Sequence, residues 1–184
     1  MIQFLQSNNT APAPQVLVRE KDFFIVYKPP RMHSVPLKKG GGKSLLDWCS
    51  KELPETTELP GLRPGEGGFI HRLDYETQGL MLLARTMPGM DSLLSKQKNG
   101  KIIKEYSALS SKSDTSLPGF PAEAPPGSAI SSAFRPYGPG RKAVRPVVIN
   151  GGADAGRKPQ NREIALSGGL PYVTEILESH SVND

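Results

Sequence analysis

The chain has a net charge of +5 and 184 residues. This length is enough for one domain with a real core and too short for two ordinary domains. Its single cysteine, Cys49, excludes a disulfide framework and a thiolate metal cluster, and its three histidines lack metal-ligand spacing. No run is long and apolar enough to span a membrane, and the N-terminus lacks signal-peptide features. We therefore expect a cytoplasmic protein without a bound metal.

The first third of the chain predicts a hairpin and a helix. Two β-rich runs flank a short polar turn, which is typical of a hairpin. Ser44 begins a helix because Asp47 lies three residues on, Pro54 ends it, and Cys49 falls on its apolar face. In chain order we expect a tail at 1–14, a hairpin at 16–27, a loop at 28–43, a helix at 44–53 and a second loop at 54–67.

Beyond residue 67 the pattern predicts strands, with one helix that begins at Pro88 and stops at Asn99-Gly100. The expected strands are 69–70 and 80–84, paired as a hairpin, followed by 102–109, 129–136, 143–149 and 171–178. Two stretches, 110–127 and 150–169, are too poor in apolar residues to form core and are predicted to be loose insertions.

A group of charges lies inside one of the most apolar stretches of the chain. Asp74 opens a polar turn that Gly79 closes, and apolar runs flank it on both sides. A carboxylate at such a place is either salt-bridged scaffolding or a catalytic group, and residue types alone favour scaffolding.

The motif around this turn points to a family. Residues 71–85 read His-Arg-Leu-Asp-Tyr-Glu-Thr-Gln-Gly-Leu-Met-Leu-Leu-Ala-Arg. This resembles the signature of RluA-type RNA pseudouridine synthases, His-Arg-Leu-Asp-x-x-Thr-Ser-Gly-Leu-x-x-x-Ala-Lys, with departures at Gln78 and Arg85. The strand that ends in Lys28-Pro29 and the Lys-x-Tyr-x-Ala run at 104–108 are similar to two further family segments, in the expected order.

The resemblance implies an enzyme that isomerises uridine to pseudouridine in structured RNA, ribosomal or transfer, and that needs no cofactor. It makes Asp74 the catalytic carboxylate. Tyr106 would lie against the target base, and Arg72 would fill the gap that the flipped nucleotide leaves. The alternative for Arg72 is an ion pair with Asp74 or Glu76.

The positive charge is concentrated towards the C-terminal half. Between Arg135 and Arg162 there are seven basic residues and one acid, which predicts a segment that contacts phosphates without sequence selectivity. The candidate RNA contacts are Lys28, His71, Arg135, Arg141, Lys142 and Arg145.

Together these features predict an α+β fold, with a mixed, mainly antiparallel sheet and a few helices, over residues 15–184. The resemblance implies a catalytic domain incomplete at its C-terminus, since the family continues into a segment whose arginine holds the aspartate charged. The alternative is a truncated, catalytically weak relative that acts as an RNA-binding module. A glycoside hydrolase is disfavoured because Asp74 and Glu76 are too close in sequence to face each other across a bond.

Overall fold

The structure is a computed structural model that describes residues 12–37, 44–109, 125–137, 139, 143–148 and 172–180. The chain divides into two compact units, Met1–Tyr106 and Ser107–Asp184. The helices and strands of the described residues are β1 Gln15–Arg19, β2 Phe23–Lys28, α1 Leu45–Glu52, α2 Pro54–Thr57, β3 Gly79–Ala84, α3 Met87–Lys98, β4 Ala129–Tyr137, β5 Ala143–Val148 and β6 Tyr172–Glu175.

An antiparallel sheet of order β1-β2-β3 organises the first unit. The predicted hairpin is confirmed as β1 and β2, with an irregularity between Val16 and Val18. Strand β3 pairs along the whole of β2, from Phe23 opposite Ala84 to Lys28 opposite Gly79. This register brings the end of the Lys-Pro strand beside the start of β3, where the charged turn ends.

Successive side chains of β2 and β3 point to opposite faces of the sheet, and both faces carry apolar side chains. One face packs against α1 in a core cluster of Phe24, Val26, Leu45, Cys49, Leu53, Phe69, Leu73, Met81 and Leu83. The other face packs against α3, where Ile70, Ala84, Met90 and Leu93 are buried together. Leu73 belongs to the larger cluster, so the residue that precedes Asp74 is anchored in the core.

Helix α1 begins as the sequence predicts. The Ser44 side chain accepts from the Asp47 backbone N–H, and Asp47 accepts from the Ser44 backbone N–H, which completes the capping box. Cys49 is buried in the core, as expected. The prediction of loop from residue 54 is wrong for the first residues, because Pro54 occupies the first turn of α2, where no backbone N–H is needed.

Two predicted strands do not form. Phe69 and Ile70 are buried, but Phe69 makes only an isolated bridge to Leu83, so β3 has no strand as its hairpin partner there. The run 102–109 has no regular structure, and Ile103 and Leu109 are exposed. A β-favouring run becomes a strand only where another backbone pairs with it, and among the described residues none pairs with this one.

The second unit contains an antiparallel sheet of order β5-β4-β6. These strands confirm the predicted elements at 129–136 and 143–149, while the predicted strand at 171–178 is shorter than expected. The described pairings of both sheets are antiparallel, and with the helices they confirm the α+β class. Residues 1–11 of the predicted tail, 110–124 of the first insertion and the whole of 150–169 lie outside the described residues.

Candidate active site

Asp74 lies on an exposed turn that leads into β3. Its own backbone carbonyl accepts from Thr77 N–H at 3.1 Å, which closes the turn, while the preceding Leu73 is buried. Among the described residues the Asp74 carboxylate takes part in no salt bridge. The carboxylate therefore projects from a turn whose base is fixed in the core.

A buried hydroxyl fixes the backbone just before Asp74. Ser34 Oγ donates to Leu73 O at 2.7 Å and accepts from Leu73 N–H at 3.0 Å. Because Ser34 is itself buried, these two bonds hold the Leu73 peptide in one orientation. No local pattern indicates this contact, since Ser34 lies 39 residues away in a segment predicted only as a loop.

A buried ammonium lies beneath the same turn. Lys28 is fully buried at the end of β2, and its Nζ donates to Pro29 O at 2.9 Å, to Met32 O at 2.7 Å and, more weakly, to Tyr75 O at 3.5 Å. Burial lowers the pKa of Lys28, and the negative charges of Asp74 and Glu76 oppose that effect. Lys28 thus joins the loop after β2 to the turn and places positive charge near Asp74.

This burial corrects the expectation that Lys28 contacts RNA phosphate. An ammonium that is 0% exposed and already bonded to backbone carbonyls does not reach a ligand at the surface. Its geometry instead supports the turn. A neighbouring contact has the same effect, because Tyr27 Oη donates to Gln78 Oε1 at 2.8 Å. Gln78 is one of the two departures from the family signature, and here it ties the turn to β2.

His71 is also placed differently from the expectation. Its Nε2 accepts from the Leu82 backbone N–H at 3.2 Å, so the ring proton is on Nδ1, which is buried without a partner among the described residues. Burial, with a smaller contribution from Lys104, lowers the pKa of His71 to about 4. At neutral pH the ring is therefore uncharged, and it is not a phosphate-binding cation.

Arg72 pairs with neither Asp74 nor Glu76. Its Nη1 lies 3.5 Å from Glu66 Oε1, with the Arg72 side chain 45% exposed and that of Glu66 only 14% exposed. Both residues line a pocket of about 160 Å³ together with Leu62, Arg63, Phe69 and His71. Glu66 was not among the predicted site residues, because nothing in its local sequence indicates a partner.

The rim of the turn carries an aromatic pair that the sequence did not predict. The rings of His33 and Tyr75 lie 4.6 Å apart at an interplanar angle of 38°. Beside them, Arg31 Nε lies 3.8 Å from Glu76 Oε2, and both side chains are well exposed. Tyr75 and Glu76 thus follow Asp74 on the surface, flanked by residues of the loop after β2.

The remaining predicted residues lie further along the chain. Tyr106 is 63% exposed and belongs to the irregular run after α3 instead of a strand. Arg135 on β4 and Arg145 on β5 are direct partners in the ladder of the second unit. Arg141 and Lys142 lie outside the described residues.

The arrangement suits a carboxylate acting on a ligand that approaches from solvent. Asp74 is exposed, its backbone is held at Leu73 and Tyr75, and an arginine two residues earlier is paired elsewhere. Within the described part of the chain, no group of three or more histidine, cysteine or acidic side chains is arranged to hold a metal ion. No helix there is long and apolar enough to cross a membrane.

A family model described as RNA pseudouridylate synthase matches residues 22–162, which include the Lys-Pro strand, the Asp74 turn and Tyr106. The chain belongs to the RNA pseudouridylate synthase family. The relationship inferred from the motif is therefore confirmed.

Curated relatives agree with this assignment. The chain is 28% identical to ribosomal large subunit pseudouridine synthase D of Haemophilus influenzae over 52% of its own length and 28% of the relative's. It is 33% identical to the protein of that name from Neisseria meningitidis serogroup B, over 53% of this chain and 26% of the relative. For the Vibrio parahaemolyticus protein of the same name the identity is 32%, over 52% of this chain and 28% of the relative. The matched part of this chain thus spans little more than a quarter of each relative.

Proposed function

We propose that the chain carries the site at which an RNA pseudouridine synthase isomerises uridine, with Asp74 as the catalytic carboxylate. What supports this most is that Asp74, the carboxylate that the motif resemblance makes catalytic, lies on an exposed turn fixed from beneath. Ser34 holds the Leu73 peptide, and Lys28 bonds the Tyr75 carbonyl. A catalytic group held by buried supporting contacts loses little freedom when the substrate binds.

The reaction needs a carboxylate and proton transfers, and it is balanced without any other reagent. The bond from uracil N1 to ribose C1′ breaks, the base turns, and a new bond forms from C5 to C1′. The proton on C5 is lost, and N1 gains one. Asp74 can attack C1′ to give a covalent intermediate, or it can stabilise the ribosyl species that forms when the glycosidic bond breaks.

Two further residues have roles in this proposal. Tyr106 offers an exposed aromatic ring against which a flipped base could stack, and its hydroxyl is a candidate proton acceptor. Arg72 is the residue that occupies the space left by the flipped nucleotide, and its half-exposed guanidinium is accessible to RNA.

Ribosomal RNA is the substrate class that we propose, because the relatives named above are ribosomal large subunit enzymes. Transfer RNA is the alternative substrate. Both are found in the cytoplasm, where we expect the protein to act. Pseudouridine mapping in cells with and without the gene would distinguish the two RNAs.

Asp74→Asn tests the role of the carboxylate. The amide keeps the size of the side chain but removes the nucleophile, so pseudouridine formation should fall by at least about a thousandfold, with RNA affinity within about twofold of the wild type. Tritium release from RNA labelled at uridine C5 measures turnover, and filter binding measures affinity.

Asp91→Asn provides the matched control, because Asp91 is an exposed carboxylate on α3 and should tolerate the change. Turnover by Asp74→Asn above a tenth of the wild-type rate would contradict the assignment of Asp74. A wild-type chain that binds RNA but forms no pseudouridine would overturn the proposed activity.

A further inference from the structure

The pairing of Arg72 has a feature that the family role of this arginine does not explain. Its partner Glu66 is mostly buried, with only 14% of its side chain exposed, while the guanidinium is 45% exposed. Glu66 comes from the loop between α2 and the Asp74 turn, so it is not a sequence neighbour of Arg72 on the same turn. A carboxylate held at such a place is part of the protein's framework.

Backbone constraints fix Glu66. Its N–H donates to Arg63 O at 3.0 Å, and it lies between Gly65 and Gly67, which have positive φ angles of 83° and 58°. At Gly67 an added Cβ would lie 2.7 Å from the carbonyl oxygen of Thr56, so the loop passes too close to α2 for any side chain. The loop therefore presents Glu66 to the pocket in a defined position.

The pairing also keeps Arg72 away from the candidate nucleophile. Arg72 lies two residues before Asp74, close enough in sequence for the two side chains to pair. Instead, Glu66 takes the guanidinium at 3.5 Å. The wall of the pocket that they share also includes the exposed Arg63, so the pocket carries two guanidinium groups and one carboxylate.

We propose that Glu66 holds Arg72 in the RNA-free protein and that an RNA phosphodiester replaces Glu66 as the partner of Arg72 on binding. Glu66 is thus a positioning residue. This inference rests on the proposed function, since Glu66 acts in this way only if RNA occupies this face. The phosphate is the natural competitor, because it presents the same anionic oxygens to a guanidinium as a carboxylate does.

The direction in which a change at Glu66 alters RNA affinity follows from this exchange. In the wild type, RNA must break an ion pair and approach a carboxylate of its own charge, and both effects weaken binding. Glu66→Gln removes both, so the Kd for RNA should fall by about threefold to tenfold. The slope of log Kd against log salt should change little, because Arg72 neutralises the same phosphate in both complexes. Because the pair is already broken in the complex, the effect of the change should appear in the Kd and in the KM for RNA.

The experiment compares Glu66→Gln with Glu55→Gln, using a short oligouridylate for binding and a uridine-labelled RNA for turnover. Glu55 pairs with Arg85 at 3.2 Å, with 35% and 40% of the two side chains exposed, and Arg85 follows the end of β3 opposite the turn. Loss of Glu55 removes the same charge from another, more exposed Arg–Glu pair. It should therefore leave the Kd within about twofold.

A double-mutant cycle isolates the contact. On an Arg72→Gln background, Glu66→Gln should tighten binding less than on the wild-type background, because only the like-charge repulsion is then removed; Glu66→Asp on the wild-type background should keep the affinity close to the wild-type value. Weaker binding by Glu66→Gln, or an equal effect of Glu55→Gln, would overturn the inference. The proposed function would still stand in that case, provided that the wild-type chain binds RNA and forms pseudouridine. Failure of the wild-type chain to bind RNA at all would overturn both.

Discussion

Within one four-residue motif, His71-Arg72-Leu73-Asp74, alternate residues face different surroundings. His71 is mostly enclosed and Leu73 is in the core, whereas Arg72 and Asp74 are exposed. This alternation explains why only two of the four residues are available to a ligand. The motif therefore combines two enclosed residues with two residues exposed to solvent.

The enclosed imidazole makes the first unit sensitive to acid. Burial lowers the pKa of His71 to about 4, whereas the unfolded chain keeps a value near 6.5. Between these pH values the unfolded state binds more protons, so stability decreases as the pH falls from 6.5 towards 4, by up to about 3 kcal/mol. Above pH 6.5 this histidine should contribute no pH dependence.

His71→Gln should remove this contribution, so its free energy of unfolding should decline less steeply than that of the wild type between pH 6.5 and pH 4. Urea unfolding followed by the fluorescence of Trp48 measures it, because the single tryptophan of the chain packs against the core of the first unit. Equal slopes for the two proteins would show that His71 does not titrate as its burial implies.

At the scale of helices and strands, local signals were sufficient where partners lay close in sequence. The β1–β2 hairpin follows from alternation around a short turn, and α1 follows from its capping box. Residues 102–109 have the composition of a strand but no backbone partner in the described part of the chain. Pairing is a property of the neighbours, so composition could not decide it.

The same limit applies to the candidate site. The motif identified Asp74 and Arg72, since both are carried by a contiguous signature. Ser34, Glu66 and the buried position of Lys28 depend on contacts between segments that are distant in sequence, and no local pattern encodes them. Sequence thus supplied the candidate residues, and the structure supplied the contacts that hold them.

Helix α3 shows how a close approach can outweigh helix propensity. Asp22, in the turn between β1 and β2, accepts from Thr86 Oγ1 at 2.8 Å and from Arg85 N–H at 2.9 Å, which fixes the start of the helix. A Cβ at Gly89 would collide with the backbone carbonyl of Asp22. Glycine at this position therefore allows the helix to lie against the hairpin turn.

Gly89→Ala should destabilise the first unit by about 1–2 kcal/mol, because the overpacking cost exceeds the gain of about 1 kcal/mol in helix propensity. Ser92→Ala is the control on the same helix, since Ser92 is exposed and the change should be neutral or slightly stabilising. Urea unfolding followed by Trp48 fluorescence compares them. A stabilised Gly89→Ala would mean that the hairpin turn moves aside at little cost.

Across the whole molecule, the matched family segment and the positive charge have different distributions. The match at 22–162 includes residues of both units, whereas the excess of six positive charges between Arg135 and Arg162 lies in the second. Arg135 and Arg145 are partners in the backbone register of β4 and β5.

If the basic segment binds RNA through phosphates, removing Arg135 and Arg145 together should weaken binding uniformly across RNA sequences. The double change to Gln should reduce the slope of log Kd against log salt by about 1.4 for a single-stranded RNA, since each lost phosphate contact contributes about 0.7. Filter binding over a salt series measures the slope. The matched control is Lys96→Gln with Lys98→Gln, which removes the same charge from exposed positions in the last turn of α3. Equal reductions in both double variants would show that net charge, and not the β4–β5 segment, determines RNA affinity.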